Sequence, residues 1–115
     1  MAISARATIH LSAVRQSLGI SREAMARLLD VSAKSIERWE ERDALPASVL
    51  LRQRLAEVQE IATLAHMVFE ADAIRGFFAT PLPALAGHTP LQAIANGDGS
   101  RVLSMLAAAY EGAAV

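Results

Sequence analysis

Apolar residues recur at helical spacing along most of the chain, and strict alternation of the kind a strand needs is absent. Leu11, Val14 and Leu18 set a first helix over roughly Ile9 to Leu18, and Gly19 stands where a left-handed glycine ends a helix. Ser21 opens a second helix with Glu23 in its first turn, where the helix dipole favours a carboxylate. Met25, Leu28 and Leu29 form its apolar stripe. Asp30 closes it, and Ser32 caps a third helix whose inward positions are Ile36 and Trp39. Leu45-Pro46 marks the next break. Pro46 suits the first turn of a long helix from about Ala47 to Phe69, because that turn has no use for its missing N–H. Leu50, Leu51, Leu55, Val58, Ile61 and Ala65 give this helix an apolar surface wider than one core contact requires.

Beyond it the pattern shortens. A helix near Asp72–Phe78 precedes TPLPALAGHTP, where Pro81, Pro83 and Pro90 forbid continuous helix and Gly87 permits a turn. Thr89 with Pro90 begins a short helix over about Leu91–Ala95. Asn96-Gly97-Asp98-Gly99 is a turn, and a last helix over roughly Ser100 to Tyr110 turns Val102, Leu103 and Leu106 inward. The fold class is therefore all-α. Three segments follow: residues 1–46, three short helices; 47–70, a long connecting helix suited to dimerisation; and 71–115, a small helical domain.

Composition narrows the classes of function. Ala and Leu dominate an apolar content of 53%, which favours helix. The chain has no cysteine, so disulfides, thiolate metal sites and cysteine nucleophiles are excluded, and a cytoplasmic setting fits. No apolar run approaches the ~20 residues of a membrane span, and the N-terminus lacks a signal-peptide pattern. His10, His66 and His88 share no ligand spacing, so a satisfied or exposed histidine is the reading for each, with no metal and no cofactor. No nucleophile motif or phosphate loop is present, and GDG reads as a turn, so no enzyme is expected. The net charge of −1 disfavours an indiscriminate nucleic-acid binder. Nine of the eleven Lys/Arg lie in residues 1–60, however, so contact with DNA would come from a local face of that half.

That half carries the first resemblance. SREAMARLLDVSAKSIERWE, Ser21 to Glu40, resembles the Xre/Cro-type helix-turn-helix, with small Ala26 at the helix approach and Val31-Ser32 in the turn. The resemblance implies that Ser32, Lys34, Ser35, Glu37 and Arg38 face the major groove. Lys34 and Arg38 suit phosphate or guanine, and Glu37 can accept from cytosine. Two departures stand out: Asp30 replaces the usual turn glycine, and Glu40, Glu41 and Asp43 oppose phosphate.

FFATPLPALAGHTPLQAIANGDGSRVLSMLAAAYEG, Phe77 to Gly112, resembles the toxin-binding domain of Xre/MbcA/ParS-type antitoxins. The elements carrying the likeness are Phe77-Phe78, Thr80-Pro81 with Pro83 and Leu85, then Gly87, Thr89, Pro90 and Leu91, then Gly97-Asp98-Gly99, and Val102-Leu103 with Leu106. Phe77 stands where that family often has Trp. What the resemblance implies is the antitoxin of a type II toxin–antitoxin module. Its partners would be a cognate RES-domain toxin that destroys NAD⁺, its own operator DNA, and a second copy of itself within a larger complex. The implied toxin contacts are Pro81, Pro83, Leu85, Arg101, Tyr110, Glu111, Gly112 and Val115, with Tyr110 to Val115 as the inhibitory element. An apolar tail ending in a carboxylate can enter a basic cleft built for a dinucleotide. The competing reading is an Xre-type transcriptional regulator without a toxin partner.

Overall fold

The computed structural model describes residues 9–112, all of whose regular elements are helical. In chain order they are α1 Leu11–Leu18, α2 Arg22–Leu29, α3 Ala33–Arg42, α4 Val49–Val68, α5 Ala71–Ala79, α6 Pro90–Ala95 and α7 Gly99–Tyr110, with a single 3-10 turn at Pro83–Leu85.

Local chemistry places most of the helix ends. Ser21 Oγ accepts from Ala24 N–H at 3.1 Å and Ser32 Oγ from Ser35 N–H at 3.1 Å. Thr89 and Gln92 form a reciprocal capping box with Pro90 in the first turn. Helix α4 departs from the expectation at Pro46. The helix begins at Val49, and Ser48 is its cap, accepting from Leu51 N–H at 3.3 Å. Pro46 is buried in the preceding linker. A serine hydroxyl satisfies one of the free N–H groups of the first turn, which proline cannot do. Asp30 takes the left-handed conformation expected of it, with φ 57°, and stands where the family's glycine would.

One continuous core runs through the chain. Leu18, Met25, Leu28 and Ile36 of α1–α3 join Leu55, Val58 and Ile61 of α4 and Phe78, Ile94, Val102 and Leu106 of α5–α7 in a single cluster of buried side chains. Helix α7 packs along α4, α6 packs against α2, and α5 meets α1. Gly99 fits where α7 begins, because a Cβ there would run into the Glu57 carboxylate of α4.

Helix α4 also completes the ends of the first two helices. The last carbonyls of a helix have no partner within it. The Ile20 and Gly19 N–H groups satisfy Arg15 and Gln16 at the end of α1, and His66 Nε2 of α4 donates to the next carbonyl, Ser17, at 2.8 Å. At the end of α2, Val31 and Asp30 N–H groups satisfy Ala26 and Arg27, and Arg54 Nη1 of α4 donates to Leu28 at 2.8 Å. The long helix thus fixes the two helices that precede the third.

Candidate functional site

The third helix is held by a clamp the sequence reading missed. Glu40 turns inward rather than toward solvent, and its side chain is only 4% exposed. Arg15 Nε and Nη2 of α1 donate to its two oxygens at 2.6 and 3.1 Å, and Arg22 Nε of α2 donates to Oε1 at 2.9 Å. Arg15 Nη1 also reaches the Ile20 carbonyl at 3.1 Å. Burial pushes the Glu40 carboxyl up, but the hydrogen bonds and charges of Arg15 and Arg22 outweigh it and leave the group below the ordinary carboxylate range. The hydrogen bond to Glu40 raises the Arg22 guanidinium in turn. Asp43 is likewise engaged: His10 Nδ1 donates to its Oδ1 at 2.8 Å. Of the three carboxylates expected to oppose phosphate, Glu40 is neutralised inside the fold and Asp43 is paired, which leaves Glu41.

With α3 held this way, Lys34, Glu37, Arg38, Glu41 and Arg42 line a shallow polar hollow of about 350 Å³ on its outer face. Arg22, Glu23, Ala33, Lys34 and Glu37 line an adjoining hollow of about 290 Å³. Lys34 and Arg38 are fully on the surface and Glu37 is half-buried. Ser32 and Ser35 are committed to the helix end, with hydroxyls 3.1 Å apart, and Arg38 Nη2 donates to Ser35 Oγ at 3.5 Å. Of the five sequence-predicted residues, the structure therefore brings Lys34, Glu37 and Arg38 onto one face, with Ser32 and Ser35 at the helix start beside Arg38. It adds Arg22 and Arg42, for which the signal was available: Arg42 follows Arg38 at i+4, and Arg22 follows the Ser21 cap. The face carries four cations against three carboxylates, Glu23, Glu37 and Glu41.

The residues singled out in the second half are spread more widely. Pro81 and Pro83 are exposed on the loop after α5. That loop is closed by Leu82 N–H to the His88 carbonyl and Gly87 N–H to the Leu82 carbonyl, both at 3.0 Å, with Ala86 and Gly87 in succession at φ 58° and 84°. Leu85, expected as a toxin contact, is 3% exposed and belongs to the core: the 3-10 turn drives its side chain inward, so it supports the loop from beneath. Arg101 is exposed in the first turn of α7, while Tyr110, Glu111 and Gly112 are exposed at its other end, about 13 Å of helical rise away. Val115 lies outside the described residues. Phe78 fills the core completely, and Phe77 packs edge-on to it at 5.0 Å and against Phe69 at 4.8 Å, so this aromatic pair supports the core. Among the described residues no group of His, Asp and Glu is placed to hold a metal, and no helix is long and apolar enough to cross a membrane.

Three short helices, α1–α3, joined through one core to α4–α7 leave two exposed surfaces, one on α3 and one around the α5–α6 loop and α7. No family model matches the chain. The mycobacterial cidal antitoxin MbcA, from Mycobacterium tuberculosis (strain ATCC 25618 / H37Rv) and from Mycobacterium bovis, is 28% identical over 102 residues, 89% of this chain and 89% of that one. The fold is also that of a chain in the crystal structure of the M. tuberculosis MbcT–MbcA toxin–antitoxin complex. The TM-score is 0.77 at 27% identity, covering 91% of this chain and 94% of that one. Over nearly its whole length the chain is thus similar, in sequence and in fold, to MbcA-type antitoxins of toxin–antitoxin systems.

Proposed function

We propose that this protein neutralises a RES-domain, NAD-degrading toxin by binding it, and represses its own operon through the face of α3. One observation carries the reading: the likeness to MbcA, itself solved in a toxin–antitoxin complex with MbcT, spans both halves of the chain and not the segment Ser21 to Glu40 alone. The toxin partner would be met by the exposed residues Pro81, Pro83, Arg101, Tyr110, Glu111 and Gly112, together with the tail to Val115. The operator would be met by Lys34, Glu37 and Arg38, with Ser32 and Ser35 shaping the helix start. The antitoxin acts in the cytoplasm as a homodimer, whose two-fold symmetry matches a palindromic operator. It needs neither metal nor cofactor and does no chemistry of its own.

Co-expression with the product of the adjacent reading frame tests this. The expected result is a co-purifying complex in which the partner's NAD⁺ consumption is suppressed and growth is restored. A neighbouring RES-type protein that remains toxic and unbound in the presence of this chain would refute it and favour the plain transcriptional regulator.

A further inference from the structure

Glu37 stands at the middle of the outer face of α3. Lys34, Glu37, Arg38 and Glu41 follow one another at helical spacing and form a single stripe along the helix. Glu37 and Lys34 line both hollows of that face, whereas Arg22 belongs to one hollow and Arg38 and Arg42 to the other. The Glu37 carboxylate therefore has cations to either side. It nevertheless joins none of the ion pairs among the described residues, whose carboxylates are those of Glu40 and Asp43. Arg22 is drawn to Glu40, and Arg38 Nη2 turns to Ser35. The Arg22 guanidinium, raised first by its hydrogen bond with Glu40, is raised further by the charge of Glu37. Glu37 is thus a half-buried acceptor left open at the centre of a surface rich in cations.

We propose that Glu37 sets the specificity of this face: it accepts from the exocyclic amine of a cytosine in the major groove, and its charge penalises sequences that offer no such amine there. This selection rests on the operator reading above and names the base that is chosen. A carboxylate accepts hydrogen bonds and donates none. Guanine and thymine present acceptors to the major groove, so against either base Glu37 gives up its water for nothing, the costly case for a charged group. Adenine offers an amine, but with the N7 acceptor beside it. Cytosine alone presents a donor with no acceptor on its own edge. The DNA backbone supplies little compensation for a wrong base. Four cations against three carboxylates leave the face a single net positive charge, and the attraction of phosphates grows with the number of cations free to meet them. The base contact therefore decides where the protein settles.

Glu37→Gln tests this, because it keeps the length of the side chain and one acceptor oxygen, removes the charge, and adds the donors that pair with adenine. Full-length wild type and variant are titrated by gel shift against the region upstream of the reading frame, against its single base-pair substitutions, and against a random duplex of the same length. Circular dichroism melts verify the fold. The variant should bind the random duplex more tightly than wild type does, most of all at low salt. The ratio of operator to random affinity should fall at least roughly fivefold, the lower end of what one base contact is worth. One C·G pair of the operator that wild type does not allow to change should become tolerant, with adenine gaining most. If the variant binds operator and random duplex more tightly by the same factor and keeps the wild-type base preferences, Glu37 is a repelling charge and reads nothing. If it matches wild type on every duplex, the carboxylate lies outside the groove, and the assignment is equally wrong. A wild-type protein that prefers no part of the upstream region over random DNA, alone or with its toxin, overturns the operator reading itself.

Discussion

Replacing Glu40 by glutamine should cost this small protein a substantial part of its stability. The substitution keeps the shape of the side chain. It removes a charge that receives two bonds from Arg15, at 2.6 and 3.1 Å, and one from Arg22 at 2.9 Å. The new amide keeps one acceptor oxygen and turns an NH₂ toward guanidinium donors. Removing one partner of a fully buried ion pair costs about 3–5 kcal/mol. Here the Arg15 side chain is 16% exposed and that of Arg22 43% exposed, so water recovers part of the loss. The Arg22 contact in particular falls to the scale of a surface pair, below about 1 kcal/mol. A net loss of about 2–3 kcal/mol follows, which for a domain of this size lowers the melting temperature by about 10 °C. The effect has a pH signature. The Glu40 carboxyl is held below its ordinary range in the folded protein, by the arginine bonds against the cost of burial. Its contribution is therefore complete above the unfolded value of about 4.3 and is lost as the pH falls through the lower folded value. The gap between wild type and Glu40→Gln should be constant through neutral pH and close in acid, whatever the other carboxylates do to both proteins. Urea unfolding followed by circular dichroism near pH ~7 and again near pH ~3 measures it. Equal stabilities at neutral pH, or a gap that persists unchanged in acid, would refute the clamp.

On the α3 face, Arg38→Ala should weaken operator binding by about 1–3 kcal/mol and relax specificity at one base position, read by gel shift on the upstream region. Lys34→Ala should weaken binding to all sequences alike and reduce the slope of affinity against salt by about one. Phe78→Ala, far beneath either surface and fully buried, should cost about 3–5 kcal/mol and impair both activities together, seen as a lowered melt and as loss of toxin rescue. Removal of Glu111–Val115 should leave the melt nearly unchanged, since Glu111 and Gly112 are exposed. It should keep toxin binding yet leave measurable NAD⁺ consumption in the complex. Full inhibition by the shortened protein would assign the block to the body of the domain.

The helices were legible in the sequence because their signals are local. Ser21, Ser32 and Thr89 announce helix starts by chemistry confined to three or four residues, and the apolar spacing of Leu11, Val14 and Leu18 needs no knowledge of what covers it. The outer face of α3 was legible for the same reason, since helical spacing alone puts Lys34, Glu37 and Arg38 side by side. What escaped depends on contacts between distant residues. Glu40 resembled Glu41 on paper, and only the approach of Arg15, 25 positions earlier, distinguishes them. Leu85 resembled a contact residue of an irregular loop, and only the 3-10 turn shows that it faces the core. The start of α4 escaped as well: Pro46 was read as its first turn, whereas Ser48 caps it, its hydroxyl satisfying an N–H that proline leaves open.

The continuity of the core changes how the two activities can be separated. The segment 71–115 reads in the sequence as a unit that could be removed, yet α7 covers α4 and α6 packs on α2. A chain ending near Glu70 would expose apolar side chains of α4 that α7 normally buries, in a domain whose net stability is only about 5–15 kcal/mol. Such a truncation would lose toxin binding and operator binding together, whichever half is responsible for each. Point substitutions on exposed residues avoid this. Arg38 and Arg101 both lie at the surface, on α3 and α7, and neither is among the residues of the core. If the two surfaces are distinct, Arg38→Ala should abolish repression while toxin capture persists, and Arg101→Ala should do the reverse, with both melts close to wild type. A variant of either kind that lost both activities without losing stability would mean that the surfaces overlap, and that operator and toxin compete for one face of the antitoxin.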